Sequence, residues 1–280
     1  MVKQDLSNNT WCIGIGAQKA GTTWLFRCLQ EHPEIATARQ KETHYFADSK
    51  NRDFAQYLSY FDLKKDGRVF LEISTSYLSN ASAAKRIAEV LPNAKVIVLL
   101  RDPVERAFSH FKHLRAQNKN NVDSLESAIS FYPEIIENGL YAKHLKRYFG
   151  FFDSSNLLIL QYQDIKIAPQ ELIDSVTSFL GIKKFTPSIL KRLYHSSRAR
   201  SNPFYFSLVR IQSNLRKYRI GRLLVHFLKR WGIDGVLFDR IMTLTTSSPP
   251  SISEKEKEFL QPFFEKDQLE LSRLFLNGAN

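Results

Sequence analysis

Four stretches of near-continuous hydrophobicity stand out along the chain: WCIGIG (11–16), RVFLEIS (68–74), KVIVLLR (95–101) and NLLILQYQ (156–163). A strand with one wet face alternates apolar and polar residues, whereas a run that stays apolar marks a strand covered on both faces, as in a parallel sheet. Between and after these runs, apolar residues return at helical spacing over 22–31, 79–91, 103–115, 139–149 and 169–180. Two of the helical starts carry proline in the first turn, Pro103 behind Asp102 and Pro169 ahead of QELIDSVTSFL, where a missing N–H does no harm. Strands alternating with helices predict an α/β architecture, a doubly wound parallel sheet flanked by helices, over about residues 10–182. The remainder reads as an appended helical region. It ends in SEKEKEFLQPFFEKDQLELSRLFL, preceded by the loop or linker TTSSPPS (245–251), and Ser253 and Glu256 stand at capping-box spacing. The expectation is one domain over 1–280, with its core at 10–182 and a helical extension at 183–280.

Charge sharpens this picture. The net charge is +12, and residues 183–240 hold 14 Lys and Arg against Asp234 and Asp239, so 14 − 2 = +12 falls in that segment. Such a segment is either a solvated basic face or a surface facing an anion, and charge alone does not name the ligand. With 43% hydrophobic residues in 280, the chain is able to bury one sizeable core. Cys12 and Cys28 form no C-x-x-C pair and fall in a predicted strand and a predicted helix. They are expected to be buried thiols in a reducing compartment. The polar start MVKQDLSNNT lacks an apolar stretch, and no window is long and apolar enough for a membrane span. The default expectation is therefore a cytoplasmic protein.

The chemistry concentrates in WCIGIGAQKAGTTWL (11–25), which reads as strand, glycine-framed loop and helix start. Backbone N–H groups and the positive helix end of such a unit hold anions without any side chain. Gly16, Gly21 and the Thr22–Thr23 pair nearly satisfy the triphosphate pattern G-x-x-x-x-G-K-[ST], but Thr22 stands where the lysine belongs. The lysine is Lys19, three positions earlier, at the crown of the loop. There it is placed to touch the first phosphate and the atom bridged to it, not a distant third one. Asp102 follows an apolar strand, but between Arg101 and Pro103 it reads as a helix N-cap, not a magnesium ligand. No metal is expected.

Together, IGIGAQKAGTTWL and VIVLLRDPVERAFSHF resemble the two signatures of sulfotransferases that use 3'-phosphoadenosine 5'-phosphosulfate (PAPS). The resemblance covers about residues 10–182 and implies a P-loop-like fold, PAPS as donor and 3'-phosphoadenosine 5'-phosphate (PAP) as product. It implies a 5'-phosphosulfate loop of Gln18, Lys19, Ala20, Gly21, Thr22, Thr23 and Trp24, and a 3'-phosphate site at Arg101 and Ser109. Arg101 at a strand end and Ser109 some two helical turns later suit convergence on one dianion, with the guanidinium as a planar fork. Arg106 either joins them or faces solvent. Read without the resemblance, Arg101 also fits a structural ion pair with a nearby acid.

In ARQKETHYF (38–46), read as extended, Glu42 and His44 project to one side and Lys41, Thr43 and Tyr45 to the other. The segment is similar to the KE-x-H-[YF]-F stretch of heparan-type sulfotransferases. That likeness implies Glu42 as general base toward the acceptor hydroxyl and His44 as its orienting partner or substitute. Without it, Glu42 reads as a surface acid and His44 as a packed histidine. In RVFLEISTSYL, Glu72 and Tyr77 match the heparan-type strand, but Ile73 stands where those enzymes carry a second lysine. Their nucleotide-covering loop has no clear counterpart, and HSSRARSNPF (195–204), with Arg198 or Arg200 reaching the cofactor, is its candidate replacement. Tyr141 in NGLYAKHLKRYF has relatives near acceptor clefts but reads as core.

The expected activity is in-line sulfuryl transfer to a hydroxyl of a glycan or another small or lipid-linked alcohol, with no nucleic-acid partner. Peripheral contact with an anionic membrane is a further reading of the basic amphipathic stretch 203–240. Two alternatives stay open on sequence: a P-loop kinase with an unusual loop, and a non-enzymatic basic module for membrane or nucleic acid.

Overall fold

The computed structural model describes residues 9–48, 53–62, 68–191 and 252–277. Within them, five parallel strands form one sheet in the order β2-β3-β1-β4-β5: β1 (Thr10–Gly16), β2 (Ile35–Thr37), β3 (Val69–Ile73), β4 (Lys95–Leu100) and β5 (Leu157–Gln161). The four apolar runs supply β1, β3, β4 and β5. The edge strand β2 is only three residues long, too short for a hydrophobic pattern to announce it. β1, β3 and β4 are buried almost throughout, whereas β5 at the opposite edge is mostly half-buried. The connection leaving β1 runs toward β2 and that leaving β4 runs toward β5. Diverging connections open a crevice beyond the strands' C-terminal ends, where ligands of such sheets bind.

The helices preceding β5 are α1 (Thr22–Gln30), α2 (Phe54–Leu58), α3 (Ala83–Val90), α4 (Pro103–Ala116), α5 (Leu125–Phe131), α6 (Glu134–Glu137) and α7 (Tyr141–Phe149). After it come α8 (Asp164–Ile167), α9 (Pro169–Leu180), α10 (Glu254–Leu260) and α11 (Glu265–Asn277). Asp102 is the α4 N-cap, its carboxylate accepting the Glu105 N–H at 2.8 Å. Ser253 and Glu256 make the full capping box at the start of α10. α7 has no capping side chain of its own. Asp267 of α11 does the work from afar, accepting the Ala142 and Lys143 N–H groups at 2.9 and 3.0 Å. The last two helices thereby dock on the domain, and Leu260 and Phe264 complete a second core with α4, α5 and α6.

The main core surrounds the sheet and α1, and includes the two free cysteines, both buried. No helix among the described residues is long and apolar enough to cross a membrane. Arg200, Arg198, the stretch 203–240 and most of the basic segment fall outside the described residues.

Two outcomes test this packing. β1 and β3 approach so closely at Gly14 that an added Cβ would lie 2.6 Å from Ile73 Cγ1. Gly14→Ala is expected to lower stability by about 1–3 kcal/mol, read as a lower urea midpoint. In the second core, burial and then the Arg106 guanidinium push His110 down to about 3. The unfolded imidazole protonates near 6.5 while the folded one resists, so stability is lost as pH falls from 6.5 toward 3. His110→Gln is expected to flatten the fall in urea midpoint between pH of about 6.5 and 5.

Candidate active site

The loop joining β1 to α1 turns through left-handed backbone at Lys19 (φ 69°) and Gly21 (φ 90°). Glycine is required at the second position: besides its φ, a Cβ there would meet Ile165 Cδ1 at 2.7 Å and the Tyr162 ring at 3.0 Å. The loop is tied to the sheet by the Ala17 N–H on Leu99 O at 2.8 Å. Gly21 is the N-cap of α1 and provides no capping side chain. The N–H groups of Gly21, Thr22 and Thr23 thus open the helix without intrahelical acceptors, at its positive end. Gln18 is steadied from outside by Asn138, whose amide donates to Gln18 Oε1 at 3.1 Å. Ala20 and Thr22 are buried and Thr23 is exposed. The Trp24 backbone N–H returns to Gly21 O at 2.9 Å and its indole packs in the core.

Arg101 leaves the end of β4 and reaches this loop. One of its terminal nitrogens lies 3.4 Å from Lys19 O, and its guanidinium lies over the Tyr162 ring at 4.6 Å. The other side of the fork engages Glu105 Oε2 at 2.9 and 3.2 Å. The acid that pairs with Arg101 is therefore Glu105, one turn into α4, with half-buried Ser109 one turn beyond on the same face. Tyr141 is core and donates its hydroxyl to Arg101 O at 2.9 Å. Arg106 neither joins Arg101 nor faces solvent. It is wholly buried and donates to Ile135 O, because α4 turns that face toward α6.

The segment 38–46 is not an extended strand as the alternation reading required. Ala47 and Asp48 N–H groups both return to His44 O, at 3.0 and 3.1 Å, and His44 is left-handed at φ 56°. The reason lies beneath it: Thr43 is pulled inward to donate its hydroxyl to Glu72, a fully buried carboxyl on β3. Ser74, Tyr77 and Tyr57 donate to the same carboxyl at 2.8, 2.6 and 2.9 Å. Burial pushes Glu72 above its ordinary value, against the pull of these four hydroxyls.

With Thr43 anchored, its neighbours are set on the rim. Glu42 accepts from the Thr75 N–H at 2.7 Å and from the Thr75 hydroxyl at 2.9 Å. His44 Nδ1 lies 2.8 Å from Ser76 Oγ and 3.9 Å from Glu42 Oε2, so the two residues do meet. Lys41, which alternation placed on the far side, comes to Glu42 as well. Its ammonium lies 3.3 Å from Glu42 Oε1 and 3.4 Å from Thr22 Oγ1. Burial lowers its basicity and the Glu42 carboxylate works against that. The Glu42 rim and the mouth of the phosphate loop are thus neighbours across one ammonium.

A model of the sulfotransferase domain matches residues 12–212, 72% of the chain on a count of 201 positions in 280. The chain belongs to the sulfotransferase domain family. Among curated relatives, human heparan sulfate glucosamine 3-O-sulfotransferase 6 is 30% identical over 181 residues, covering 61% of this chain and 52% of that protein. Mouse bifunctional heparan sulfate N-deacetylase/N-sulfotransferase 4 is 29% identical over 193 residues, 60% of this chain and 22% of that one. The chain therefore spans about half or less of the length of these relatives. A sulfotransferase crystal structure from Alicyclobacillus acidocaldarius is 26% identical with TM-score 0.59, covering 71% of this chain and 96% of the other.

Lys41, Thr75, Asn138 and Tyr162 were not among the residues read from sequence as the site. Alternation puts Lys41 on the side away from Glu42, but period-2 alternation does not hold in a loop. The others carry no sequence signal, because their roles arise only from the packing of distant elements. The Glu72 cage offers a direct test. Glu72→Leu leaves four buried hydroxyls without their acceptor and is expected to cost about 3 kcal/mol or more, whereas Glu72→Gln, which keeps an acceptor oxygen, costs less. Urea unfolding of both variants measures the difference.

Proposed function

We propose that this chain is a PAPS-dependent sulfotransferase acting on a hydroxyl of a glycan or another small or lipid-linked alcohol. The observation that carries the reading is the juxtaposition of the Lys19 loop with Glu42, spanned by the Lys41 ammonium at 3.4 and 3.3 Å. A donor anion at the loop and an acceptor hydroxyl at Glu42 would then face each other across the distance one transfer requires.

The residues present fit the donor. Gly21 has no Cβ to collide with Ile165 and Tyr162, so the loop can turn tightly into α1; the first-turn N–H groups of α1 lack a capping side chain, and Arg101 brings its guanidinium to the Lys19 carbonyl of the loop. When bound, PAPS supplies the sulfuryl group and a phosphate leaving group. The α1 N–H groups and Lys19 are assigned to the 5' side, where they offset charge gathering on the departing oxygen. Arg101 and Ser109 are assigned to the 3'-phosphate, with Glu105 as the acid Arg101 exchanges for it. Glu42 takes the acceptor proton, and its Thr75 contacts aim the carboxylate; His44 orients it through the contact at 3.9 Å.

Beside Glu42 lies a cleft of about 510 Å³, lined by Phe26 as well as by Arg27, Gln30, Arg39, Gln40 and Lys41. Such a mixed lining offers amide and guanidinium donors to acceptor hydroxyls and one aromatic face. The named relatives act on heparan sulfate, which supports a glycan. Ile73 counts against carrying over their specificity, since it is buried against Gly14. The kinase alternative is weakened by Asp102, whose carboxylate is spent on capping α4.

Calorimetry with PAP and with ATP, each with and without magnesium, tests the reading. The expected result is metal-independent binding of PAP; a preference for magnesium-ATP would overturn it. With labelled PAPS and a panel of sugars, phenols and lipid alcohols, Glu42→Gln is expected to lower kcat by about 10²–10⁴ while PAP affinity holds. Lys19→Ala is expected to lower kcat by about 10²–10³ with the melting temperature unchanged.

A further inference from the structure

We infer that Lys41 is a catalytic cation that contacts the sulfuryl group itself, standing between the donor loop and the acceptor base. The inference rests on the sulfotransfer reading above and extends it to a residue that neither the loop signature nor the base assignment includes.

The argument is one of position. A sulfuryl group in transit lies between a phosphate oxygen at the α1 N-terminus and an acceptor oxygen at Glu42. The Lys41 ammonium is 3.4 Å from Thr22 Oγ1 at the loop and 3.3 Å from Glu42 Oε1, so it is within hydrogen-bonding reach of both. Its side chain is only 13% exposed, which holds the ammonium in place and keeps competing water from screening it. Two other cations of the site have different places. Arg101 grips Glu105 and the Lys19 carbonyl, and Lys19 belongs to the loop crown.

In the step this implies, the acceptor oxygen forms a bond to sulfur as the sulfur–phosphate oxygen bond breaks. The acceptor proton passes to the Glu42 carboxylate and the departing phosphate keeps the bonding electron pair. The three peripheral sulfuryl oxygens carry negative charge throughout, and Lys41 is the group placed to hold them. Its three donors allow contact with both the sulfuryl and Glu42. The depressed basicity that burial gives this ammonium agrees with a cation withheld from solvent until an anion arrives.

PAPS carries the sulfuryl and PAP does not, so the role is testable by binding without any acceptor. Dissociation constants for both nucleotides are to be measured on the wild type, on Lys41→Met, and on Lys41→Cys before and after alkylation with bromoethylamine, which rebuilds an ammonium. The two native thiols are buried and burial raises both, Cys28 to about 12, so the introduced cysteine is the one that reacts. PAP affinity is expected to stay within about twofold in every form. PAPS affinity is expected to weaken by about tenfold or more in Lys41→Met, as for loss of a charged hydrogen bond, and to return on aminoethylation. Equal loss for PAP and PAPS, or no loss for either, would overturn the role. If the wild type binds neither nucleotide, the sulfotransfer reading fails first and takes this role with it.

Discussion

The geometry of the candidate site depends on one buried carboxyl. Glu72 lies one residue from the C-terminal end of β3 and receives four hydroxyls, from Thr43, Tyr57, Ser74 and Tyr77. Three of these residues lie on or just after β3 or on α2, but Thr43 belongs to the rim segment. Removing a carboxyl from water is costly, and hydrogen bonds must offset the loss. Satisfying Glu72 therefore demands that Thr43 turn inward. Once it does, Glu42 and His44 on either side are carried to the rim. The same strand end presents Thr75 and Ser76 to receive them. A buried structural requirement thus sets the position of two residues at the surface.

The second constraint is electrostatic. The start of α1, Lys41 and Arg101 bring positive charge near one crevice, with Glu42 and Glu105 as their acids. Each acid is bound to one of these cations, Glu42 to Lys41 and Glu105 to Arg101. In the proposed binding mode an arriving dianion competes with Glu105 for Arg101, while Glu42 stays aimed by Thr75. The two carboxylates thereby differ in kind: Glu105 is an exposed partner that yields easily, and Glu42 is fixed by three contacts from one residue.

The helical side of the domain is tied to this crevice through a chain of polar contacts. Arg106, buried on α4, holds Ile135 O, and three residues on Asn138 holds the Gln18 amide in the loop. Tyr141 then holds the backbone of Arg101. Asp267 of α11 caps α7, the helix that carries Tyr141. The terminal helices are thus linked mechanically to the strand end that bears the proposed 3'-phosphate contact, although they lie far from it in sequence.

The candidacy of Glu42 and His44 came from the family resemblance, whereas local patterns alone were sufficient for the parallel sheet, the glycine-framed loop, the Asp102 and Ser253 caps, and the candidacy of Lys19 and Arg101. Each rests on neighbours a few residues apart: apolar runs, cap spacing, a lysine displaced within a loop. What tertiary structure alone decided was which groups meet. Period-2 alternation sent Lys41 away from Glu42, and the Glu72 cage brought it back. Arg106 looked like a surface or ligand residue and became buried, because α4 packs on α6 through that face. The Trp24 indole, inside the loop signature, packs in the core. Three-residue β2 was too short to register, and the capping of α7 by Asp267 spans 124 and 125 positions. Sequence carries local backbone preference well, but side-chain partners in a loop are chosen by buried polar groups elsewhere, whose demands no local pattern records.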